Sequence, residues 1–410
     1  MLLRNVILNG AKKDLRLDNG LIAQINDEIL PLPEEEILEG EGLTVVPAFY
    51  NLHTHAAMSL MRGYADDLDL FTWLNEHIWP LEAKMTGDDI YVGTRLAVLE
   101  MIKSGTVHFD DMYWFTAKAA QAAKELGIRA RIGLLVLSHN SNAEKLNQEV
   151  LEQLENYQGR VKISATPHAV YTVDEKTMIW VRDIAEKYNF TFHIHVSETA
   201  KEVEDCQKAH GLTPVMWLDK LGCLSKRTIA AHSIHLTDED IKTYAKRGVT
   251  AVHVPGSNMK LCSGIFPYRK MKEAGVRVVF GTDGCCSSND LSMFSTLREA
   301  SYLAKLFSGD PKIAPAEEIY KMATRDSALA AGVDGGVIEE GKAADLLLLN
   351  LNLPEMTPNR NLISNIIYAA SPECVDTVIC DGQVLMRHRK VDGEEEILKD
   401  ARKTFKRLIG

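Results

Sequence analysis

No run of this sequence approaches the roughly 18 uninterrupted apolar residues of a membrane-spanning helix. The opening residues, MLLRNVILNGAKKD, lack the apolar centre and small-residue cleavage site of a secretory leader. Cysteine is scarce and unpaired in pattern: there are 7, an odd number, and no C-x-x-C. A disulfide framework is therefore not expected, and the thiols read as reduced in a cytoplasmic protein. A basic excess is also missing. Lys plus Arg number 46 against 57 Asp plus Glu, a net charge of −11, which argues against a polynucleotide partner because such partners demand basic stripes. Two zinc signatures, H-E-x-x-H and P-C-x-x-C, are absent, and the latter excludes the cytidine-deaminase type of site. The run from Gly336 to Lys342 fits G-x-x-x-x-G-K, but Ala343 stands where a phosphate loop needs Ser or Thr, and a strand-like run follows.

What remains is an ordinary globular composition, 46% hydrophobic and 25% charged over 410 residues, enough for a large core. Short apolar runs rich in β-branched residues recur along it: LTVVPAFYNLHTH, SGTVHFDD, IRARIGLLVLSHN, VKISATPHAV, FTFHIHVSE, RTIAAHSIHL, VTAVHVPGSN and VRVVFGTDG. Their continuous apolar character fits parallel strands buried on both faces. Helical patterns lie between them, with start signals at Thr86-Gly87-Asp88-Asp89, Thr172-Val173-Asp174-Glu175 and Thr237-Asp238-Glu239-Asp240. Eight strands alternating with helices predict an α/β fold, a (β/α)8 TIM barrel over residues 47–335. A doubly wound open sheet is the structural alternative, but no Gly-rich turn follows the first strand. Residues 1–46 and 336–410 hold further strand-like pieces (LLRNVILNG, LRLDNG, LIAQI, ADLLLLNL, VDTVICDGQVLM, RHRKVDG) with Asn-Gly and Asp-Gly turns. They are expected to pair into one small β-sandwich formed by both termini, followed by a charged surface helix in EEEILKDARKTFKRLIG.

The chemistry-bearing side chains fall at the ends of the predicted strands. His53 and His55 end the first, His168 the fourth, His195 the fifth with Glu198 three residues on, His232 the sixth and Asp283 the eighth. In a (β/α)8 barrel these ends share one face, where the active site is built. Residues i and i+2 of a strand point the same way, so His53 and His55 can both face the lumen. With His195 and Asp283 they make an N3O donor set suited to one divalent metal, Zn2+ or Fe2+, with a position open for water. Glu198 and His232 then supply proton-handling groups. A lone H-x-H is weak evidence, since most such histidines are structural; here the coincidence of several matches with strand ends of one fold favours the metal. His108, His139 and His235 have no place in this scheme, and His253 is left unassigned. Cys285 and Cys286 follow Asp283 closely, and a small buried role is expected for them.

Together, PAFYNLHTH, FHIHVSET, AAHSIHL, HVPGSNMKL and FGTDG resemble the amidohydrolase superfamily, and more narrowly its 5-methylthioadenosine/S-adenosylhomocysteine deaminases and their triazine-hydrolase relatives. The likeness extends to HIWPLE (His77 to Glu82) and EEGKAADL (Glu339 to Leu346). It implies a barrel with a small β-sandwich, and a single metal on His53, His55, His195 and Asp283. The binuclear branch uses a carboxylated lysine at the end of the fourth strand; here His168 stands there and Lys162 lies near the strand's start. The likeness also implies that Glu82 holds ribose hydroxyls and that His168 contacts substrate, with Glu198 and Asp283 touching the reacting base.

The expectation is an aminohydrolase acting on a C–N bond of an adenosine-type nucleoside such as adenosine, 5′-deoxyadenosine, 5-methylthioadenosine or S-adenosylhomocysteine. Relatives that accept the last are expected to carry arginines after the third strand. Here that loop reads SHNSNAEKLNQE, with only Lys145 as a cation, so smaller nucleosides are favoured. Phe71, Trp73 and Trp79 are candidates for an apolar wall over a base. The rivals are a deaminase or chlorohydrolase acting on guanine, cytosine or a triazine, and a non-catalytic scaffold on the same fold; a homo-oligomer is compatible with all three.

Overall fold

A computed structural model describes residues 1–409. The chain opens with β1 (Leu2–Leu8), β2 (Ala11–Asp18), β3 (Leu21–Asn26), β4 (Ile37–Glu39) and β5 (Leu43–Pro47). The barrel strands follow: β6 (Phe49–Thr54), β7 (Thr106–Asp111), β8 (Arg129–Val136), β9 (Val161–Pro167), β10 (Phe192–Val196), β11 (Thr228–His232), β12 (Thr250–His253) and β13 (Arg277–Phe280). After residue 336 come β14 (Leu346–Asn350), β15 (Val375–Cys380) and β16 (Gln383–Met386).

β6 to β13 pair in parallel and in chain order, and the strand-to-strand connections carry helices. The barrel closes between β6 and β13 without a continuous ladder. The seam is a bridge between Thr54 and Asp283, the Asp283 N–H bond to the His53 carbonyl at 3.0 Å, and the Asn51 side chain, which donates to Thr282 Oγ1 at 2.8 Å and accepts from Thr282 N at 3.1 Å. All six residues of β6 are buried, which is why no polar alternation marks it in the sequence.

The eight end strands form one mixed sheet in the order β16-β15-β14-β5-β1-β2-β3, with β4 on β1. This is the expected small domain of both termini, built as one continuous sheet. Side chains alternate across it. Leu346, Leu348 and Ile379 join Leu3, Leu15, Ile22 and Val45 in a core of the sheet's own. Leu347, Leu349, Val378 and Cys380 instead join the barrel core. The period of two thus serves two cores at once. The first apolar run, read as a single strand, is two: β5 belongs to the small sheet and β6 to the barrel, with Ala48 between them.

Two local expectations fail. Thr172 does not cap the next helix. Asp174 does, accepting from Thr177 N, while Thr172 Oγ1 turns back to the Ala169 carbonyl and the His168 ring. RHRKVDG is no strand, because Arg387 bridges Lys390 and His388 and Arg389 take positive φ, making a tight turn after β16. The other two helix starts hold. Asp89 accepts from Thr86 N and Oγ1, and Thr237 and Asp240 form a full capping box. The terminal helix Glu394–Ile409 lies against the helix Gly87–Lys103, with Arg95 facing Glu396 and Asp400. Among the described residues no helix is long and apolar enough to cross a membrane.

Candidate active site

The carboxyl ends of the barrel strands bring the residues singled out in the sequence into one cluster. His55 Nε2 lies 3.1 Å and His53 Nε2 3.4 Å from Asp283 Oδ1, and His195 Nε2 lies 3.3 Å from His55 Nε2. The side chains of His53, His195 and Asp283 are at least nine-tenths buried. Positive φ at Asp283 and His232, 64° and 66°, turns both side chains inward at their strand ends; such strain concentrates at functional sites.

The hydrogen bonds on the far side of two of the rings fix their tautomers. His55 Nδ1 faces the Met112 carbonyl at 2.6 Å and His195 Nδ1 faces the His168 carbonyl at 2.8 Å. A carbonyl only accepts, so both Nδ1 atoms carry the proton and both Nε2 atoms present lone pairs. Those lone pairs point at each other across 3.3 Å, with a carboxylate oxygen beside them. His53 Nδ1 pairs with His193 Nε2 at 3.0 Å, and its buried Nε2 has no hydrogen-bond partner. Two bare imidazole nitrogens, a carboxylate oxygen and His53 Nε2 thus converge on one point with no donor from outside the cluster. Only a positive charge makes that arrangement stable, and the donor set, three imidazoles and a carboxylate, suits a divalent metal. A proton is the lesser substitute. His55 is pushed up to about 9: burial works against the charge, and the hydrogen bond to and charge of Asp283 outweigh it. His232 belongs to an overlapping set with His53 and His195, their ligand atoms all within 4.8 Å of one another.

Glu198 and His232 stand beside this cluster. His232 Nδ1 bonds Asn258 Oδ1 at 2.9 Å, which leaves Nε2 bare and 3.7 Å from Glu198 Oε2. Glu198 Oε1 accepts from Ser263 Oγ at 3.3 Å. Burial raises the Glu198 carboxyl above the usual carboxylate range, opposed by the charge of His232. Burial thereby shifts Glu198 toward its protonated form.

Above the cluster opens a cavity with about 640 Å³ of empty space, open solvent at its mouth included. His55, His168, His195, Glu198, His232 and Asp283 line it, as does Glu82. Glu82 is fixed through both oxygens, by Tyr113 OH at 2.5 Å and more loosely by Trp114 Nε1 at 3.5 Å. His168 Nδ1 is 2.9 Å from Thr172 Oγ1, whose own proton goes to the Ala169 carbonyl. His168 Nδ1 therefore donates to that hydroxyl, and Nε2 is free to accept from a ligand hydroxyl. Trp73 and Trp79 line the cavity as expected, whereas Phe71 does not; it packs edge-on against Tyr171, which does. Tyr113, Trp114 and Tyr171 were not anticipated. Their position just past the ends of β7 and β9 is the signal that finds them, because residues there face the barrel mouth.

The remaining histidines and cysteines lie elsewhere. His108 bonds Asp110 at 2.8 Å in the barrel interior, where Asp110 also pairs with Arg131. His139 is exposed near Asp174, and His253 stacks on Phe266 with centroids 4.4 Å apart. His235 Nε2 holds the Ser263 carbonyl at 2.6 Å. Cys285 and Cys286 are buried behind the site, the second pointing at the Met61 carbonyl. Lys162, at the start of β9, is at the opposite end of the barrel from His168.

A model of the amidohydrolase family matches residues 44–385. The chain belongs to this family. Its relatives include a 5′-deoxyadenosine deaminase of Methanospirillum hungatei, 44% identical over 380 residues that span 91% of this chain and 85% of that one. A 5-methylthioadenosine/S-adenosylhomocysteine deaminase of Archaeoglobus fulgidus is 43% identical over 406 residues, 97% of this chain and 95% of the other. Among solved structures, an adenosine deaminase from Xanthomonas campestris with bound zinc superimposes with a TM-score of 0.92 at 32% identity, covering 99% of this chain and 98% of that one. The amidohydrolase barrel and its small domain, read from the strand order, are therefore shared along the whole length, and the family is one of hydrolases acting on C–N bonds.

Proposed function

We propose that this amidohydrolase removes the amino group at C6 of an adenosine-type nucleoside by hydrolysis, giving the inosine analogue and ammonia. One observation carries the reading: His55, His195 and Asp283, backed by His53, converge at the floor of an aromatic-walled cavity that also holds an acid, Glu198, and a base, His232. The deaminase names of the relatives supply the substrate class. His53, His55, His195 and Asp283 would hold one divalent cation per chain, Zn2+ as in the zinc-bound neighbour, with Fe2+ the alternative for the same donors. When bound, the cation supplies Lewis-acid activation of a water molecule.

The remaining work falls to side chains. Asp283, its Oδ2 steadied by Ser287 Oγ at 3.0 Å, takes a proton from the attacking water with help from the bare Nε2 of His232. As the water oxygen bonds to C6, protonated Glu198 gives its proton to the adjacent ring nitrogen, so no free anion forms. The proton held at Asp283 then passes to the amino group. As the C–N bond breaks and ammonia leaves, the hydroxyl on C6 gives its proton to the Glu198 carboxylate; the C6 oxygen becomes the carbonyl of the inosine analogue and the acid is restored. Glu82 and His168 Nε2 orient the sugar hydroxyls, contributing position rather than chemistry. Trp73, Trp79 and Trp114 give the base apolar surface away from water.

The charged groups lining the cavity are carboxylates and histidines, with neither Arg nor Lys among them. A substrate with an uncharged 5′ end suits such a wall; the carboxylate of S-adenosylhomocysteine would have no cation to pair with. Ammonia release from a panel of nucleosides and free bases tests the reading. Turnover of 5′-deoxyadenosine or 5-methylthioadenosine at least 100-fold above that of guanine or cytosine is expected. Equal or greater activity on a free base would overturn it.

A further inference from the structure

Glu202 is a buried carboxylate that this mechanism does not use, and it touches the loop that the mechanism depends on. It is 2% exposed. Its place in the sequence suggests another role. Thr199-x-x-Glu202 opens the helix Ala200–His210, and a glutamate at that position ordinarily reaches back to the N–H of the capping residue. Thr199 does cap, accepting from Glu202 N at 3.1 Å. The carboxylate, however, reaches past Thr199. It takes the N–H of Ser197 on Oε1 at 2.9 Å and the N–H of Glu198 on Oε2 at 2.8 Å.

Those two N–H groups belong to a sharp turn. β10 ends at Val196, and Ser197 has φ of 51°, a left-handed backbone that a non-glycine residue holds only when its surroundings enforce it. On the other side the Ser197 carbonyl accepts from Ile234 N at 3.1 Å and His235 N at 2.9 Å, just beyond His232. The turn is thus gripped between Glu202 and the end of β11, and its direction decides where the Glu198 side chain lands relative to His232 and the cavity.

We infer that Glu202 is a positioning residue for Glu198, its two-oxygen grip on the Ser197–Glu198 turn setting the acid at the distance the reaction requires. The inference rests on the role given to Glu198 above. Glu202→Gln keeps the size but offers one N–H an amide donor in place of an acceptor, so the turn must shift. A misplacement near 1 Å costs up to about 100-fold in rate. Glu202→Gln is expected to lower kcat about 10- to 100-fold, with KM within about threefold and bound metal unchanged. Glu202→Asp, which retains the charge but falls a methylene short, should lose kcat in the same way and serves where the glutamine variant does not fold. Thr199→Ala removes the cap of the same helix and neither carboxylate bond; it should lower Tm while leaving kcat within about twofold. Combined with Glu198→Gln, Glu202→Gln should add no further loss, because coupled residues are not additive. A Glu202 variant with full kcat overturns the inference, as does an additive double variant or a Thr199→Ala loss as large as that of Glu202→Gln. An active Glu198→Gln would instead overturn the role of Glu198 itself.

Discussion

Two charge clusters, each centred on a buried carboxylate, lie at opposite ends of this barrel, and they are built on opposite principles. Where the barrel meets the small sheet, Arg129 Nε is 3.0 Å from Asp345 Oδ2 and its terminal nitrogen 2.5 Å from Asp381 Oδ1. Arg160 meets the other oxygen of Asp381 at 2.8 Å, Tyr50 OH donates to Asp345 at 2.5 Å, and Asp381 N donates to it at 2.6 Å. Every acceptor there has a donor from the protein itself. At the mouth, the bare nitrogens of His55 and His195 and the Asp283 carboxylate face one another and His53 Nε2, with no donor from outside the cluster. The first cluster is complete as folded and joins two parts of the chain. The second is complete only with a cation. Burial and charge density alone do not distinguish a structural network from a reactive site; the balance of donors and acceptors does.

Breaking the mouth cluster should have the largest effect. His195→Ala is expected to lower bound metal to well under one ion per chain and activity by more than about 1000-fold, with little change in Tm after metal removal; metal analysis beside ammonia release checks both. Glu198→Gln should lower turnover by a comparable, still measurable factor while the metal stays, which separates the acid from the ligands. Breaking the junction should do the reverse. Arg129→Met leaves Asp345, 1% exposed, without its charge partner, and losing one member of a buried pair costs about 3–5 kcal/mol of stability. Denaturant unfolding should show that loss, while the metal content of the folded fraction is unchanged.

A third buried pair sharpens the contrast by pH. Burial alone would raise the Asp110 carboxyl, but Arg131 and His108 bring it down to about 2, below the roughly 3.9 of an unfolded aspartate. A depressed folded value adds stability that is present above about pH 4 and lost as pH falls toward 2. Asp110→Asn should flatten that part of the stability profile, measured by chemical unfolding between pH 5 and 2. The smallest expected effect concerns the cavity wall. S-adenosylhomocysteine should show kcat/KM at least about tenfold below 5-methylthioadenosine, about 1.4 kcal/mol; parity would mean that its carboxylate finds a partner beyond the lining residues.

Much of this was legible in the sequence, for physical reasons. Strands buried on both faces must be continuous apolar runs, so the eight barrel strands stood out, and residues at their ends had to converge on one face. What stayed hidden depends on contacts across the chain. The division of LTVVPAFYNLHTH between two sheets is decided by which partners β5 and β6 find, with only Ala48 to mark it. Tyr113, Trp114 and Tyr171 look like core aromatics until the barrel places them over the cavity. Thr172 lost the cap to Asp174 because its hydroxyl serves His168. Glu202 carries the signature of a capping box, and only the turn at Ser197 reveals what its carboxylate holds.

The measurement that bears most directly on the central claim is a metal titration of the stripped chain, followed by ammonia release from 5′-deoxyadenosine. Activity should be absent without metal, rise in proportion to added Zn2+ or Fe2+, and level off at one ion per chain. Full activity in the stripped chain, or none at one bound ion with any of the nucleosides, would contradict the account.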